Sequence, residues 1–371
     1  TLNVVDLLVD DDLTVTDDMT VGGTLGVTGI ATFTDDIIIG DGKTIGSASD
    51  VDAITIAANG QVTLTQTLIG TALDISGDID VDGTTNLDAV DVDGAANFAA
   101  DVTFAVGADI ITASGGTGNL RLGEDAGDAV TGNFNVLVGK DSGTALEGAA
   151  GNVGLGYRTL YTSVAGDYNT AIGREALLTS NVSGNNYNTA VGAFAGKLVT
   201  TGVDNTIIGG LAGDAITTGG NNTVLGKQAL SADTKGGTAV AIGQLALGAQ
   251  NFTSATDNYN VAVGYSAGVG ITTGVQNTII GGLAGDALTD ADKNVAVGRS
   301  ALTSDTLGSM STAIGYSALD NQNFTSATNS RNTAVGHTAG LEGTTAVDNT
   351  LIGEQAGYYI TTGSKNTILG R

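Results

Sequence analysis

A short glycine-centred unit recurs at a nearly constant interval from Asn119 to the end of the chain, and it constrains the fold more than any other feature. Each unit reads as in NTAVG of residues 188–192, and its glycine is called the repeat glycine below. Glycine and β-branched residues at fixed places disfavour helices. The commonest interval is seventeen residues, which hold short strands joined by turns, so each unit predicts one coil of a β-solenoid. The fifteen repeat glycines are Gly123, Gly139, Gly156, Gly173, Gly192, Gly209, Gly226, Gly243, Gly264, Gly281, Gly298, Gly315, Gly336, Gly353 and Gly370.

The strand that precedes each repeat glycine is apolar on both of its faces. The residue immediately before the glycine is Val, Ile or Leu in all fifteen copies, and the residue before that is usually small or aliphatic. Adjacent strand residues point to opposite faces. One face can fill the interior of the coil, whereas the other would expose a continuous apolar stripe, which a soluble monomer rarely carries. We therefore expect another copy of the chain to cover this stripe.

Three other positions of the unit also recur. An asparagine four residues before most repeat glycines suits a turn, and stacked copies can hydrogen-bond along the rod. Alanine three residues after most repeat glycines indicates a second, tightly packed strand. The residue after that alternates in pairs, glycine twice and then leucine twice, and the equally spaced Gly192, Gly264 and Gly336 mark the resulting longer period. This period indicates duplication of a block of four coils.

The unit NTAVGxxAG resembles the head repeats of trimeric autotransporter adhesins, whose consensus runs roughly Asn-Ser-Val-Ala-Ile-Gly-x-x-Ser. It is more similar still to repeat arrays in phage tail-fibre proteins, and the similarity covers residues 119–371. The resemblance implies a left-handed parallel β-roll that trimerises through its inner strands, with its loops facing outward. We therefore expect an all-β fold, a trimeric β-solenoid whose coils are mostly seventeen residues long.

The first third of the chain has a different composition. Residues 1–110 contain 20 Asp, no Glu and one base, Lys43, which gives −19 of the total formal charge of −26. Short alternating runs broken by glycine or Asp-Asp read as strands of two to five residues. Residues 20–33 are similar to shaft repeats of phage tail fibres, in which three chains interleave their strands. We expect an acidic β-rich fibre shaft at residues 1–118 and the fifteen-copy repeat domain at residues 119–371.

One acidic segment of the shaft matches the opening of a calcium loop. Asp78, Asp80 and Asp82 alternate and are followed by Gly83, as in loops whose carboxylates surround a hard cation. The closing Glu of such a loop is absent, because Ala89 stands there. The favoured interpretation is a strand with aspartates on its wet face, and weakly bound Ca²⁺ is the alternative. No other cofactor is expected.

Two coils carry nearly identical insertions of four extra residues, at residues 250–256 and 322–328. Insertions in solenoids map to loops on one face, which is often the binding face. Phe252, Tyr259 and Phe324 would give these loops an aromatic surface for a receptor or for a second protomer. The alternative is that each phenylalanine is buried between neighbouring protomers or coils.

Several classes of function are disfavoured by composition. The chain has no Cys, no Trp and a single histidine, His337, which occupies a variable position and belongs to no Ser-His-Asp set. We therefore expect no enzymatic activity. Acids outnumber bases 39 to 13, which argues against nucleic acid and anionic membranes as partners. No apolar run approaches the ~18 residues of a membrane span, so we expect no membrane insertion.

The sequence and its resemblances predict a structural and adhesive fibre segment of a virion appendage, a phage tail fibre that acts in host attachment. Its expected partners are two further copies of the chain, a host cell-surface receptor or glycan, and other virion tail proteins. Its location would be the extracellular virion. The alternative is the head of a trimeric autotransporter adhesin on a bacterial cell surface. Ice binding is disfavoured, because it needs a regular Thr-x-Thr face. The threonine that stands three residues before many repeat glycines is instead followed by residues that we expect to be buried. The sequence starts at Thr1 without methionine, so we expect a longer polypeptide.

Overall fold

The computed structural model describes residues 8–10, 12–34, 37–40, 43–47, 50–65 and 115–371. The chain divides into two compact units, Thr1–Ala99 and Ala100–Arg371. The described residues form strands and turns and contain no helix, so the fold is all-β.

In the described part of the first unit, β1 (Lys43–Ser47), β2 (Asp50–Ile56) and β3 (Val62–Leu64) form one small antiparallel sheet in that order. The pairing of β1 with β2 is irregular between Ile45 and Ser47, and β2 continues into β3 through a turn in which Gly60 donates to the carbonyl of Ala57 at 2.9 Å. An interleaved shaft over residues 1–118 stays a prediction.

The second unit is a parallel β-solenoid of about fifteen turns. Each coil contributes one three-residue strand to a single fifteen-stranded sheet, in which the strands follow one another in chain order and pair in register. The strands are β4 (Leu120–Leu122), β5 (Val136–Val138), β6 (Val153–Leu155), β8 (Thr170–Ile172), β10 (Thr189–Val191), β11 (Thr206–Ile208), β12 (Thr223–Leu225), β14 (Val240–Ile242), β16 (Val261–Val263), β17 (Thr278–Ile280), β18 (Val295–Val297), β20 (Thr312–Ile314), β22 (Thr333–Val335), β23 (Thr350–Ile352) and β24 (Thr367–Leu369).

Three pairs of two-residue strands form small parallel sheets elsewhere on the solenoid. Each pair joins the ends of two neighbouring coils, and the third pair repeats the second at the interval that the duplication predicts. The pairs are β7 (Gly166–Asp167) with β9 (Gly184–Asn185), β13 (Gly236–Gly237) with β15 (Thr256–Asp257), and β19 (Gly308–Ser309) with β21 (Thr328–Asn329).

In the fifteen-stranded sheet, from β5 to β23, the middle residue of each strand is buried inside the coil, and its two neighbours point outward. In β10 and β11, for example, Ala190 and Ile207 are fully buried, whereas Val191 and Ile208 are partly exposed. The alanine three residues after most repeat glycines is buried in the same core. The interior is therefore a narrow column of small and aliphatic side chains.

The prediction of a second strand around that alanine is wrong. Ala267 lies in a turn, in which its backbone N–H donates to the carbonyl of Gly264. Its neighbours Ser266 and Gly268 have φ of 52° and 56°. These values belong to the left-handed region, which cannot continue an extended strand. Close packing of the alanine was deduced correctly, but it arises in a tight turn.

Glycine at the end of each strand is required by the closeness of the next coil. Gly264 has φ of 139°, which strongly favours glycine. A Cβ at this residue would lie 2.6 Å from the carbonyl of Gly281 in the following coil. Repeat glycines therefore let neighbouring backbones stack directly.

The asparagines form the hydrogen-bonded ladder that the sequence predicted. The backbone N–H of Asn222 donates to Oδ1 of Asn205 at 3.0 Å, and Nδ2 of Asn205 donates to the carbonyl of Gly219 at 3.0 Å. This arrangement recurs along the solenoid and satisfies backbone groups inside each turn. Ala239 and Ser311 interrupt it. At the first break, Asn258 replaces the missing acceptor and receives the backbone N–H of Asn260 at 2.9 Å.

The paired alternation of glycine and leucine has a packing explanation. Where glycine stands four residues after the repeat glycine, an aliphatic residue three positions later fills the interior in every coil except that of Gly340, where Gly343 stands. A Cβ on Gly268, for example, would lie 2.9 Å from Cδ1 of Ile271. Where leucine stands there instead, the later position is polar. The aliphatic residues are Val130, Leu146, Val199, Ile216, Ile271, Leu288 and Ile360, and the polar ones are Ser163, Ser180, Asp233, Gln250, Asp305 and Gln322.

Candidate interaction surfaces

The outward face of the fifteen-stranded sheet is a long uncharged surface, called the outward stripe here. It consists of the residues three before and one before each repeat glycine. The first column holds nine Thr, five Val and one Leu, and the second holds only Val, Ile and Leu. Leu225 is 44% exposed and Ile280 is 39% exposed. Because only one column carries threonine, the face lacks the Thr-x-Thr pattern of ice binding.

Aromatic and basic side chains flank the outward stripe on neighbouring coils. Tyr168 and Tyr187 stack with their ring centroids 5.4 Å apart. Arg299 lies over the ring of Tyr316 at 5.7 Å, and Tyr316 stacks on His337 at 5.2 Å. The exposed His337 therefore belongs to a stack of surface rings. The stacking follows from the register, which places equivalent residues of successive coils above one another.

Ion pairs also join successive coils. Nε of Arg331 lies 2.6 Å from Oδ1 of Asp348, and this hydrogen bond lowers the pKa of Asp348. Nζ of Lys197 lies 2.8 Å from Oε2 of Glu175 and lowers the pKa of that carboxyl group. Burial acts in the opposite direction on Asp214 and raises its pKa. These pairs offset part of the repulsion between the acidic coils.

The structure separates the three aromatic residues predicted for the insertion loops. Phe252 and Phe324 are each only 6% exposed, and their rings pack against Gly236 and Gly308 of the preceding coil. Burial leaves little of either ring for contact with another molecule. Tyr259 is 56% exposed and remains available as a contact residue.

A buried polar network fixes the base of each insertion. Asp233 accepts hydrogen bonds from the backbone of Gly236 at 2.9 Å and of Phe252 at 3.1 Å, and from Nε2 of Gln250 at 2.7 Å. Gln250 in turn accepts from Nδ2 of Asn260 at 2.9 Å. The second insertion repeats the network with Asp305, Gln322, Phe324 and Asn332. In each insertion, four hydrogen bonds hold the loop to the solenoid.

The predicted calcium residues Asp78, Asp80 and Asp82 lie outside the described residues. Within the part of the chain that the structure describes, no group of three or more His, Asp or Glu side chains could hold a metal ion. A search of the same residues finds no helix capable of crossing a membrane.

No protein-family model, curated protein or solved structure matches the chain. The fold itself therefore defines the class, a parallel β-solenoid repeat protein. Sequence reasoning found the outward stripe from its aliphatic column. It missed the flanking stacks, because a ring on one coil meets a ring on the next only when the register is known.

Proposed function

We propose that the chain is a structural and adhesive fibre segment of a virion appendage, a phage tail fibre that acts in host attachment. In this proposal three copies associate through their outward stripes and present their loops to a host cell-surface receptor or glycan. Other virion tail proteins would join the fibre at its ends. The role depends on length, rigidity and repetition and needs no catalytic site.

The outward stripe is the observation that carries the proposal. None of its thirty positions holds a charged residue, although the chain has a net charge of −26. A charge-free apolar strip on a strongly acidic surface is typical of an interface, because exposed apolar patches of this extent are rare on monomers. Self-association fits best, since identical in-register columns present the same spacing on every copy.

The extent of the stripe is sufficient for a stable contact. Fifteen strands spaced about 4.8 Å apart give a length of roughly 70 Å, and a three-residue strand is about 10 Å long. The resulting area, on the order of 700 Å², is comparable to the ~800 Å² that each partner buries in a standard interface. A monomer would leave all of this surface in water.

The alternative is the head of a trimeric autotransporter adhesin on a bacterial surface. The repeat unit NTAVGxxAG supports both readings, because both resemblances rest on the same residues. The shaft-like segment at residues 20–33 favours the tail fibre.

Light scattering during size-exclusion chromatography tests the assembly. We expect a mass of about three times 36.5 kDa for the unmodified chain. The double variant Leu225→Asp with Ile280→Asp places two charges on the outward stripe, and desolvating them in an interface is costly. This variant should run as a monomer, with circular dichroism showing that its strands persist.

The matched control is Gln244→Asp with Gln276→Asp, which adds the same charge at exposed positions outside the stripe. It should retain the mass of the unmodified chain. A 36.5 kDa monomer for the unmodified chain would refute the proposed assembly.

A further inference from the structure

A polar groove of about 200 Å³ opens beside the first insertion. It lies where β13 pairs with β15, so three successive coils form its walls. Its lining includes Gly220, Asn221, Lys235, Gly237 and Asp257.

Within the described part of the chain, three side chains of the groove have no bonding partner. Asn221, Lys235 and Asp257 are exposed, and among the described residues none of their side chains takes part in a hydrogen bond or an ion pair. Their backbones are nevertheless held in place. The buried Asp233 accepts the backbone N–H of Lys235 at 3.3 Å, and Asp257 is fixed in β15. The groove therefore presents positioned polar groups with unused bonding capacity.

Glycines keep the groove open. A Cβ on Gly237 would lie 3.3 Å from Oδ1 of Asp257 and 2.9 Å from the carbonyl of Gly220. Any side chain at Gly237 would therefore crowd the carboxylate.

The second insertion shows what the same backbone does with side chains at these positions. At the equivalent positions of the duplicated block, Asp292 replaces Gly220 and Ser309 replaces Gly237. Oδ1 of Asp292 accepts the backbone N–H of Val275 at 2.8 Å, and Oγ of Ser309 accepts the backbone N–H of Asp292 at 3.0 Å. Leu307 and Asn329 stand in place of Lys235 and Asp257. Lys293 stands in place of Asn221, so the second insertion is also charged, and what is specific to the first is the open space beside Lys235 and Asp257.

We propose that this groove binds a neutral hexopyranose unit of a cell-surface glycan. Asp257 can only accept hydrogen bonds when ionised, Lys235 can only donate, and the amide of Asn221 does both. Sugar hydroxyl groups both donate and accept, so they match this set. One positive and one negative charge leave the groove without a net charge, which favours a neutral ligand. The volume is below the ~300–1,000 Å³ of pockets for drug-sized ligands, so one ring fits rather than several.

Tyr259 provides the apolar contact that a pyranose ring also needs. Its backbone N–H donates to Oγ1 of Thr238 at 3.3 Å, and Thr238 directly follows the groove residue Gly237. The backbone of this exposed tyrosine therefore lies beside the groove, and we assign to its amphipathic ring the contact with C–H groups of the sugar. The inference rests on the proposed attachment function and names its receptor chemistry. Weak binding by one site gains strength when several copies act together.

Saturation-transfer NMR with three probes, the methyl pyranosides of glucose, galactose and mannose, tests this proposal. At least one should receive saturation from the unmodified chain. The variant Gly220→Asp with Gly237→Ser reproduces the residues of the second insertion, so it should fold and yet weaken binding at least tenfold. Asp257→Ala should have a similar effect. Gln244→Asp, which adds charge outside the groove, should leave binding unchanged.

Absence of transfer to all three pyranosides, or equal transfer to the unmodified chain and the filled variant, would overturn the proposal. Its failure is separable from failure of the proposed assembly. A chain that sizes as a trimer but binds no probe overturns the sugar site alone. A monomer that binds a probe overturns the trimer alone.

Discussion

Left-handed backbone conformations at side-chain-bearing residues are the most unusual local feature of this protein. They recur five residues before and two and four residues after the repeat glycines, with Tyr168, Glu175 and Leu177 in one coil as examples. An L-residue in this region costs roughly 1–2 kcal/mol. The ladder of buried asparagines and the stacked backbones hold these residues in place. Each coil therefore stores a local cost that its neighbours offset.

Removing this cost at one exposed residue should stabilise the solenoid. Lys293 has φ of 59° and occupies the column in which Gly118 and Gly151 stand on earlier coils. We expect Lys293→Gly to raise the free energy of unfolding by about 0.5–1 kcal/mol, the relief of the left-handed conformation less the chain entropy of glycine. Thermal denaturation followed by circular dichroism measures the change.

The control is Lys227→Gly, at an exposed residue without positive φ. Glycine there adds entropy to the unfolded chain and relieves nothing, so the melting temperature should fall. Equal shifts for both variants would contradict the strain argument.

At the level of a single coil, the interior volume is shared between two positions that are three residues apart. The same interior volume is filled in two ways. In some coils a glycine is followed three residues later by an aliphatic residue, and in the others a leucine is followed by a polar residue. Gly340 is followed by Gly343, and a small cavity lined by both of them is found there. A cavity is expected at this coil, because neither of the two positions supplies a side chain to fill the shared interior volume.

A double-mutant cycle tests the sharing. Gly268→Leu alone should overpack the coil against Ile271 and cost about 1–3 kcal/mol. Ile271→Ala alone should cost about 2–5 kcal/mol through the cavity that it leaves. The combined variant should be more stable than the sum of the two costs predicts, because the leucine fills that cavity. Urea denaturation gives the three values, and additivity within ~0.5 kcal/mol would contradict the sharing.

Much of the coil could be predicted from the sequence, because its signals are local and repeated. The aliphatic residue before each repeat glycine predicted the sheet, and the asparagine predicted the ladder. The turn around Ala267 was mistaken for a strand, because burial of a small residue does not reveal its backbone angles. Burial of Phe252 and the groove residues around Lys235 depend on contacts between coils. Only the comparison of Gly220 and Gly237 with Asp292 and Ser309 could have indicated the groove.

For the whole molecule, the proposed assembly depends on the balance between charge and apolar surface. Three chains of −26 each would carry −78 together. Their repulsion acts over a Debye length of about 30 Å at 0.01 M salt but only about 8 Å at 0.15 M. Burial of the outward stripe is not weakened by salt in this way. The two forces therefore respond differently to ionic strength.

Association through the outward stripe should consequently strengthen with salt. We expect the dissociation constant of the assembly to fall by at least tenfold between 0.01 M and 0.15 M NaCl, measured by analytical ultracentrifugation of dilute protein. The stripe variant Leu225→Asp with Ile280→Asp should stay monomeric in both conditions. An assembly that dissociates as salt is added would indicate contacts made by ion pairs instead.

The block of four coils allows the length of the solenoid to change in fixed increments. A duplicated block, such as the one from Gly192 to Gly264, begins and ends at equivalent coils, so inserting or deleting one preserves every junction. Each insertion or deletion of a block changes the length of the solenoid by roughly 19 Å, four spacings of about 4.8 Å. Recombination would thus lengthen or shorten the solenoid in equal steps and leave the residues of its core and of its outward stripe unchanged.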